Sequence, residues 1–222
     1  MKTMTAACAL TLAAGAASAS LTITEIWAGG VSGTEQTADW VEITNFGNSS
    51  VSFSGVYYDD DSADATKDDE VFGIGSIAAG ESVIVLVSWE DNWGSATDAL
   101  DAFAAVWGAG NLAGVQIGYV DGGSGLGGGG DAAYFFDGNT SAAATLASQS
   151  YAGPALPASF IYNPGTISFG DLAQGGVYGA YTSDQPASDD GTFAIGSPGV
   201  VPAPMSAAVL GLGGLAAMRR RR

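Results

Sequence analysis

The chain has 222 residues, with 23 Asp and Glu, six Lys and Arg, no His and a single Cys. Every acidic residue lies between Glu25 and Asp190 and only Lys67 opposes them there, so that span carries a charge of −22 and repels phosphate, which excludes nucleic-acid binding through a basic face. Without His there is no Ser-His-Asp or Cys-His catalysis, no zincin motif and no His-ligated metal.

Residues 1–19 read as a secretory signal peptide. Lys2 supplies the positive start, Ala6 to Ala17 is an apolar run, and Ala17-Ser18-Ala19 places small residues at −3 and −1. Cleavage is expected between Ala19 and Ser20. Cys8 leaves with this segment, so no disulfide and no thiol nucleophile remain. The body that follows, residues 20–199, is long enough for one substantial core.

Short runs of Val, Ile, Phe, Tyr and Trp between turn residues predict an all-β body. Strands are expected at Leu21–Trp27, Trp40–Phe46, Val51–Tyr57, Ser82–Ser88, Val115–Val120, Ala132–Phe136 and Ala143–Tyr151. Turn residues from Asn45 to Ser50 predict a hairpin between the second and third strands. Val83-Ile84-Val85-Leu86-Val87 is apolar without alternation, as expected of a central strand covered on both faces.

Between the third and fourth strands lies the densest charge cluster, seven carboxylates in the twelve residues Asp59 to Glu70. They repel one another unless a cation sits among them. Asp59, Asp61, Asp64, Asp68 and Glu70 are the candidate ligands for Ca²⁺ or Mg²⁺, which take oxygen ligands. The spacing departs from an EF-hand: Ala63 falls at position 5, Asp64 at the glycine position 6 and Lys67 at position 9. A solvated acidic loop is the simpler assignment, and the body requires no cofactor.

One helix interrupts the strands. Thr97 can cap it, Asp98 and Asp101 suit its positive end, and Gly108 can stop it. Leu100, Phe103, Ala104 and Trp107 form one apolar stripe, expected to pack on the core. Gly122 to Gly130 holds seven glycines in nine residues. No Lys-Ser/Thr and no helix follow, so it reads as a mobile hairpin connection and not as a phosphate cradle. Trp27, Trp89 and Trp93 could stack on sugars if exposed, although packing is the simpler role for each. Carboxylate pairs suited to glycoside hydrolysis depend on spatial separation, which spacing along the chain does not give.

The C-terminal region, residues 200–222, carries Val201-Pro202-Ala203-Pro204, then fourteen uncharged residues from Met205 to Met218, then four Arg. Fourteen helical residues span roughly 21 Å, short of a hydrocarbon core of about 30 Å. The expected arrangement is an exported body, a short anchor through 205–218 and a basic stop kept on the cytoplasmic side.

This tail resembles the PEP-CTERM sorting signals of Gram-negative bacteria, with Ala203 where that motif has Glu. The resemblance implies processing by an exosortase-like enzyme at Val201, Pro202, Ala203 and Pro204. In the body, Leu21-Thr22-Ile23-Thr24-Glu25-Ile26, Asp39-Trp40-Val41-Glu42-Ile43-Thr44-Asn45 and Val51-Ser52-Phe53-Ser54-Gly55 resemble the opening of a lamin tail domain. Ile77-Ala78-Ala79-Gly80-Glu81-Ser82-Val83 and the closing Ser197-Pro198-Gly199 are similar to later parts of that family, as is the stretch from Gly125 to Tyr151. The resemblance implies an immunoglobulin-like β-sandwich with one short helix inserted, and no catalytic activity. The acidic insertion Tyr58–Glu70 and the region 152–192 depart from it. The expected function is therefore a non-catalytic structural or binding module of the cell envelope or extracellular matrix. A Ca²⁺-dependent or carbohydrate-binding adhesion module, meeting extracellular polysaccharide, is the alternative; a hydrolase using carboxylates alone is the third reading.

Overall fold

The computed structural model describes residues 20–29, 36–67, 69–90, 92–122, 125–153, 157–163 and 168–200. The expected signal peptide with Ala19, the candidate ligand Asp68, and the tail from Val201 to Arg222 lie outside the described residues. The described chain runs β1 (Leu21–Trp27), β2 (Asp39–Asn45), β3 (Val51–Ser52), β4 (Tyr57–Asp59), β5 (Glu70–Phe72), β6 (Ser76–Ile77), β7 (Ser82–Val87), α1 (Ala96–Trp107), β8 (Gln116–Asp121), β9 (Asp131–Phe136), β10 (Thr145–Tyr151), β11 (Phe160–Asn163), β12 (Ser168–Leu172), β13 (Tyr181–Pro186) and β14 (Phe193–Gly196). The protein is all-β with one short helix.

Ten strands form one sheet in the order β10-β9-β4-β5-β8-β7-β2-β1-β11-β12, and β13-β14 and β3-β6 form two small sheets. The large sheet curls on itself. Tyr151 at the end of β10 meets Phe160 of β11 with ring centroids 4.9 Å apart, so strands far apart in the pairing order close over one interior and give a barrel- or sandwich-like shape.

The central strand is where the sequence placed it. β7 lies between β2 and β8, with all six residues buried. Val83, Val85 and Val87 point into the interior with Ile23, Val41, Ile43, Phe53 and Phe135. Ile84 and Leu86 point the other way, into a second core with Trp27, Trp40, Phe103 and Trp107. Two covered faces explain the unbroken apolar run. β7 and β8 are parallel. A parallel neighbour needs a crossover, and α1 supplies it while covering the outer face.

Ser95, not Thr97, caps α1: its hydroxyl accepts from the Asp98 amide at 3.2 Å and donates to the Asp98 carboxylate at 2.8 Å. Ala99, Phe103, Val106 and Trp107 are its buried residues, with Leu100 and Ala104 at the margin. Gly108 ends the helix at φ 87° and donates its N–H to the Ala104 carbonyl.

Two expectations are corrected. The second and third strands form no hairpin, because β1 and β7 already occupy both edges of β2. The turn itself is real: the Asn45 side chain accepts from the Gly47 amide and donates to the carbonyls of Ser49 and Ile77. The chain then leaves the sheet, pairs briefly as β3 with β6, and returns as β4 beside β9 and β5. The glycine run likewise joins strands that do not pair with each other, since β8 lies against β5 and β7, and β9 against β4 and β10.

Candidate functional site

The acidic loop is organised by its own backbone. Asp59 closes β4 fully buried, and its Oδ2 accepts from the Ser62 hydroxyl and the Asp64 amide, both at 2.5 Å. Asp64 Oδ1 accepts from the Thr66 amide at 2.9 Å and the Thr66 hydroxyl at 2.7 Å. Asp61 is exposed, and Glu70 stands on β5 opposite Tyr57 and Asp121. Among the described residues no three acidic side chains come close enough to share a metal ion. Asp59 and Asp64 instead shape successive turns.

The described part of the glycine run is held from three sides. Asp39 Oδ2 accepts from the Leu126 amide at 3.1 Å, Asp131 Oδ2 accepts from the Gly127 amide at 2.5 Å, and the Tyr151 hydroxyl donates to the Gly127 carbonyl at 2.9 Å. Leu126 is buried in the interior core. The loop lies so close to Gly153 that a Cβ there would sit 2.5 Å from the Gly128 carbonyl oxygen, and within the run Gly130 adopts φ +110°, so glycine is required at these two positions. Trp27 and Trp89 are buried, and the Trp89 indole donates to the Val120 carbonyl at 2.6 Å. Trp93 packs against the outer core. Trp27 and Trp89 therefore present no open face to a sugar, and Trp93 is half-buried.

The most unusual chemistry lies between β1 and β2. A register shift between Ile23 and Glu25 brings Glu25 opposite Glu42, and each is 1 % exposed. Glu25 accepts from the Ser159 hydroxyl, from the Ser197 amide at 2.7 Å and from the Ser197 hydroxyl at 2.7 Å. Glu42 accepts from the Thr24 hydroxyl at 2.6 Å and from the Gly199 amide at 2.7 Å. Thr24, Thr44 and Ser82 continue as a chain of buried hydroxyls at 2.9 and 2.6 Å, in which either member of each pair can donate.

Among the described residues no cation faces this pair, and burial disfavours two adjacent negative charges. Burial pushes Glu25 up to about 7, partly offset by its bonds from Ser159 and Ser197. Glu42 is pushed well above the usual carboxylate range, first by burial and then by the charge on Glu25. Glu25 has three donors and Glu42 two, so Glu25 is the better anion and Glu42 the better home for a proton. The two titrate as one unit. With Glu42 protonated, its Oε1 donates to Thr24, and the hydroxyl chain reorients to carry the donation onward.

The pair fastens the last described residues to the first two strands. Ser197 and Gly199 are the closing residues, and Glu25 and Glu42 stand on the first two strands. Gly199 adopts φ +82°, and a Cβ there would come 2.4 Å from Val115 Cγ2, so only glycine brings its amide to Glu42 at this spot. The site was missed in the sequence reading because its partners lie 172 and 157 residues apart. The available signal was a Glu set directly against large apolar residues in each strand, Glu25 before Ile26 and Trp27 and Glu42 between Val41 and Ile43. No family model matches the chain, and neither do curated proteins or solved structures.

Proposed function

We propose that the protein is an exported, non-catalytic module of the cell envelope or extracellular matrix, with residues 20–199 as its folded body. The observation that carries this reading is the carboxylate clamp. It locks Ser197 and Gly199 onto β1 and β2, immediately before the address-like sequence that starts at Val201. A sorting enzyme acting beyond Gly199 would leave these fastening bonds in place. In this reading an exosortase-like enzyme acts at Val201–Pro204, and residues 205–218 anchor the chain transiently.

The three segments that resemble a lamin tail domain's opening, second strand and close meet at the clamp through Glu25, Glu42 and Ser197–Gly199. That convergence supports the resemblance, and with it an immunoglobulin-like arrangement of the curled sheet. The parallel β7–β8 pair joined by α1 is a local departure from such a sandwich. The carboxylate pair supports a non-catalytic role, because both acids are enclosed and engaged with backbone and hydroxyl donors. No cofactor is needed for the role proposed.

The test is localisation in the native host. A chain truncated after Val200 is expected to be exported and to accumulate outside the cell, folded, while the full chain is held at the envelope. Intracellular retention of both chains would overturn the reading.

A further inference from the structure

At the far edge of the large sheet, β11, β12 and the turn leading to β13 enclose an open cleft of about 310 Å³. Asn163, Asp171, Leu172, Gln174, Val177 and Tyr178 line it. Leu172, Val177 and Tyr178 are each 40–44 % exposed, and they are three of the five large apolar residues left exposed on the described surface. Exposed apolar side chains gathered on one cleft are a feature of ligand-binding grooves.

The polar side of the cleft is built, not loose. The Tyr178 hydroxyl donates to Asn163 Oδ1 at 3.0 Å, and Asn163 Nδ2 donates to Asp171 Oδ2 at 2.6 Å. This chain fixes the tyrosine ring and both planar groups relative to one another. The turn is pinned at its two ends by the buried Ala173 and Ala180 and braced by the bond from the Val177 amide to the Gln174 carbonyl, 2.9 Å. Within it Tyr178 is held at φ 50°, in the left-handed region that a bulky side chain seldom adopts. A strained backbone that aims an exposed aromatic ring over polar groups is a feature of ligand sites.

We infer that this cleft binds a neutral saccharide, one or two sugar units of a longer glycan. A pyranose has an apolar C–H face and a rim of hydroxyls that both donate and accept. The Tyr178 ring with Leu172 and Val177 matches the face. The planar carboxylate of Asp171 and the amides of Asn163 and Gln174 match the rim. The volume suits a small ligand. Charge selects the class: the only basic residue in the body is Lys67, far along the chain in the acidic loop, and Asp171 is itself a lining group. Uronic acids, sulfated sugars and phosphate are therefore disfavoured.

This deepens the proposed module by naming what it holds in the matrix. The test separates the two, since a binding assay on purified protein does not depend on where the cell puts it. Saturation-transfer NMR of the full-length chain with millimolar maltose, cellobiose and lactose is expected to show transfer to at least one of them, with polygalacturonate oligomers showing less. Tyr178→Gly removes the ring and also the strain, so it should melt no lower than the wild type yet bind at least tenfold more weakly. Asn163→Ala should weaken binding at an unchanged melting temperature. Absence of transfer to all three disaccharides, binding unaltered in Tyr178→Gly, or stronger binding of the polygalacturonate oligomers would each overturn the inference.

Discussion

Glu25 and Glu42 give the clamp an unusual dependence on pH. A carboxyl whose pKa is higher folded than unfolded binds more protons in the folded state, so its contribution is fully present below the unfolded value of about 4.5 and is lost as pH rises through the folded value. For Glu25 that window runs from about 4.5 to about 7, and Glu42, also raised, acts in the same direction. At 1.36 kcal/mol per unit, the Glu25 shift corresponds to about 3 kcal/mol. Asp60 and Glu90, also raised, act in the same direction. Asp64 and Asp190 are lowered and act the opposite way, at more acid pH. The protein is therefore expected to melt higher at pH 5 than at pH 8. Glu42→Gln keeps an acceptor for Gly199 and a donor for Thr24 without the charge. It should raise stability at pH 8 by about 2 kcal/mol, roughly 4–8 °C, and flatten the slope. A melting series in both proteins from pH 4.5 to 8.5 checks this, and a wild-type curve that rises with pH would refute it.

At the level of elements, β7 carries the fold. It divides two cores and is fully buried, so Val85→Asp places an unpaired charge in the interior with no basic partner near it among the described residues. The expected cost is several kcal/mol, read as loss of the cooperative melting transition. β7 was legible in the sequence because covering both faces removes the period-two alternation, and α1 was legible because its stripe repeats at helical spacing. The position of the cap was misread: Ser95 and Thr97 are both competent caps, and the reciprocal bond to Asp98 decides in favour of Ser95. The hairpin after Asn45 was misread for a different reason. Turn residues report a change of direction and nothing about which strand edges are free, and β2 had none. The strands β11 to β14 lie where Gly and small polar residues interrupt the apolar runs. Their pairing is long-range and leaves little local periodicity, and with them the cleft at Tyr178 and the closing clamp escaped notice.

For the molecule as a whole, charge is the dominant departure from an ordinary domain. A span at −22 repels itself in the compact state. Salt shortens the Debye length from about 10 Å at 0.1 M to about 3 Å at 1 M, so added NaCl should raise the melting temperature. Asp59 and Asp64 are already engaged with turn donors, so CaCl₂ at matched ionic strength is expected to give the same curve. A Ca²⁺ excess that disappears in the combined variant Asp59→Asn, Asp61→Asn, Glu70→Gln would instead establish the loop as a cation site, since binding to the folded state adds RT ln(1 + [L]/Kd).

In the central proposal the body is exported and processed at both ends. The measurement that bears on this most directly is the intact mass of the mature protein isolated from its native host. The account expects an N-terminus at Ser20 and a C-terminus within Val201–Pro204, with any added mass attached there, on a body that still melts cooperatively. A mature chain that retains Lys2, or that keeps Arg219–Arg222 in a host with a working sorting enzyme, would contradict it.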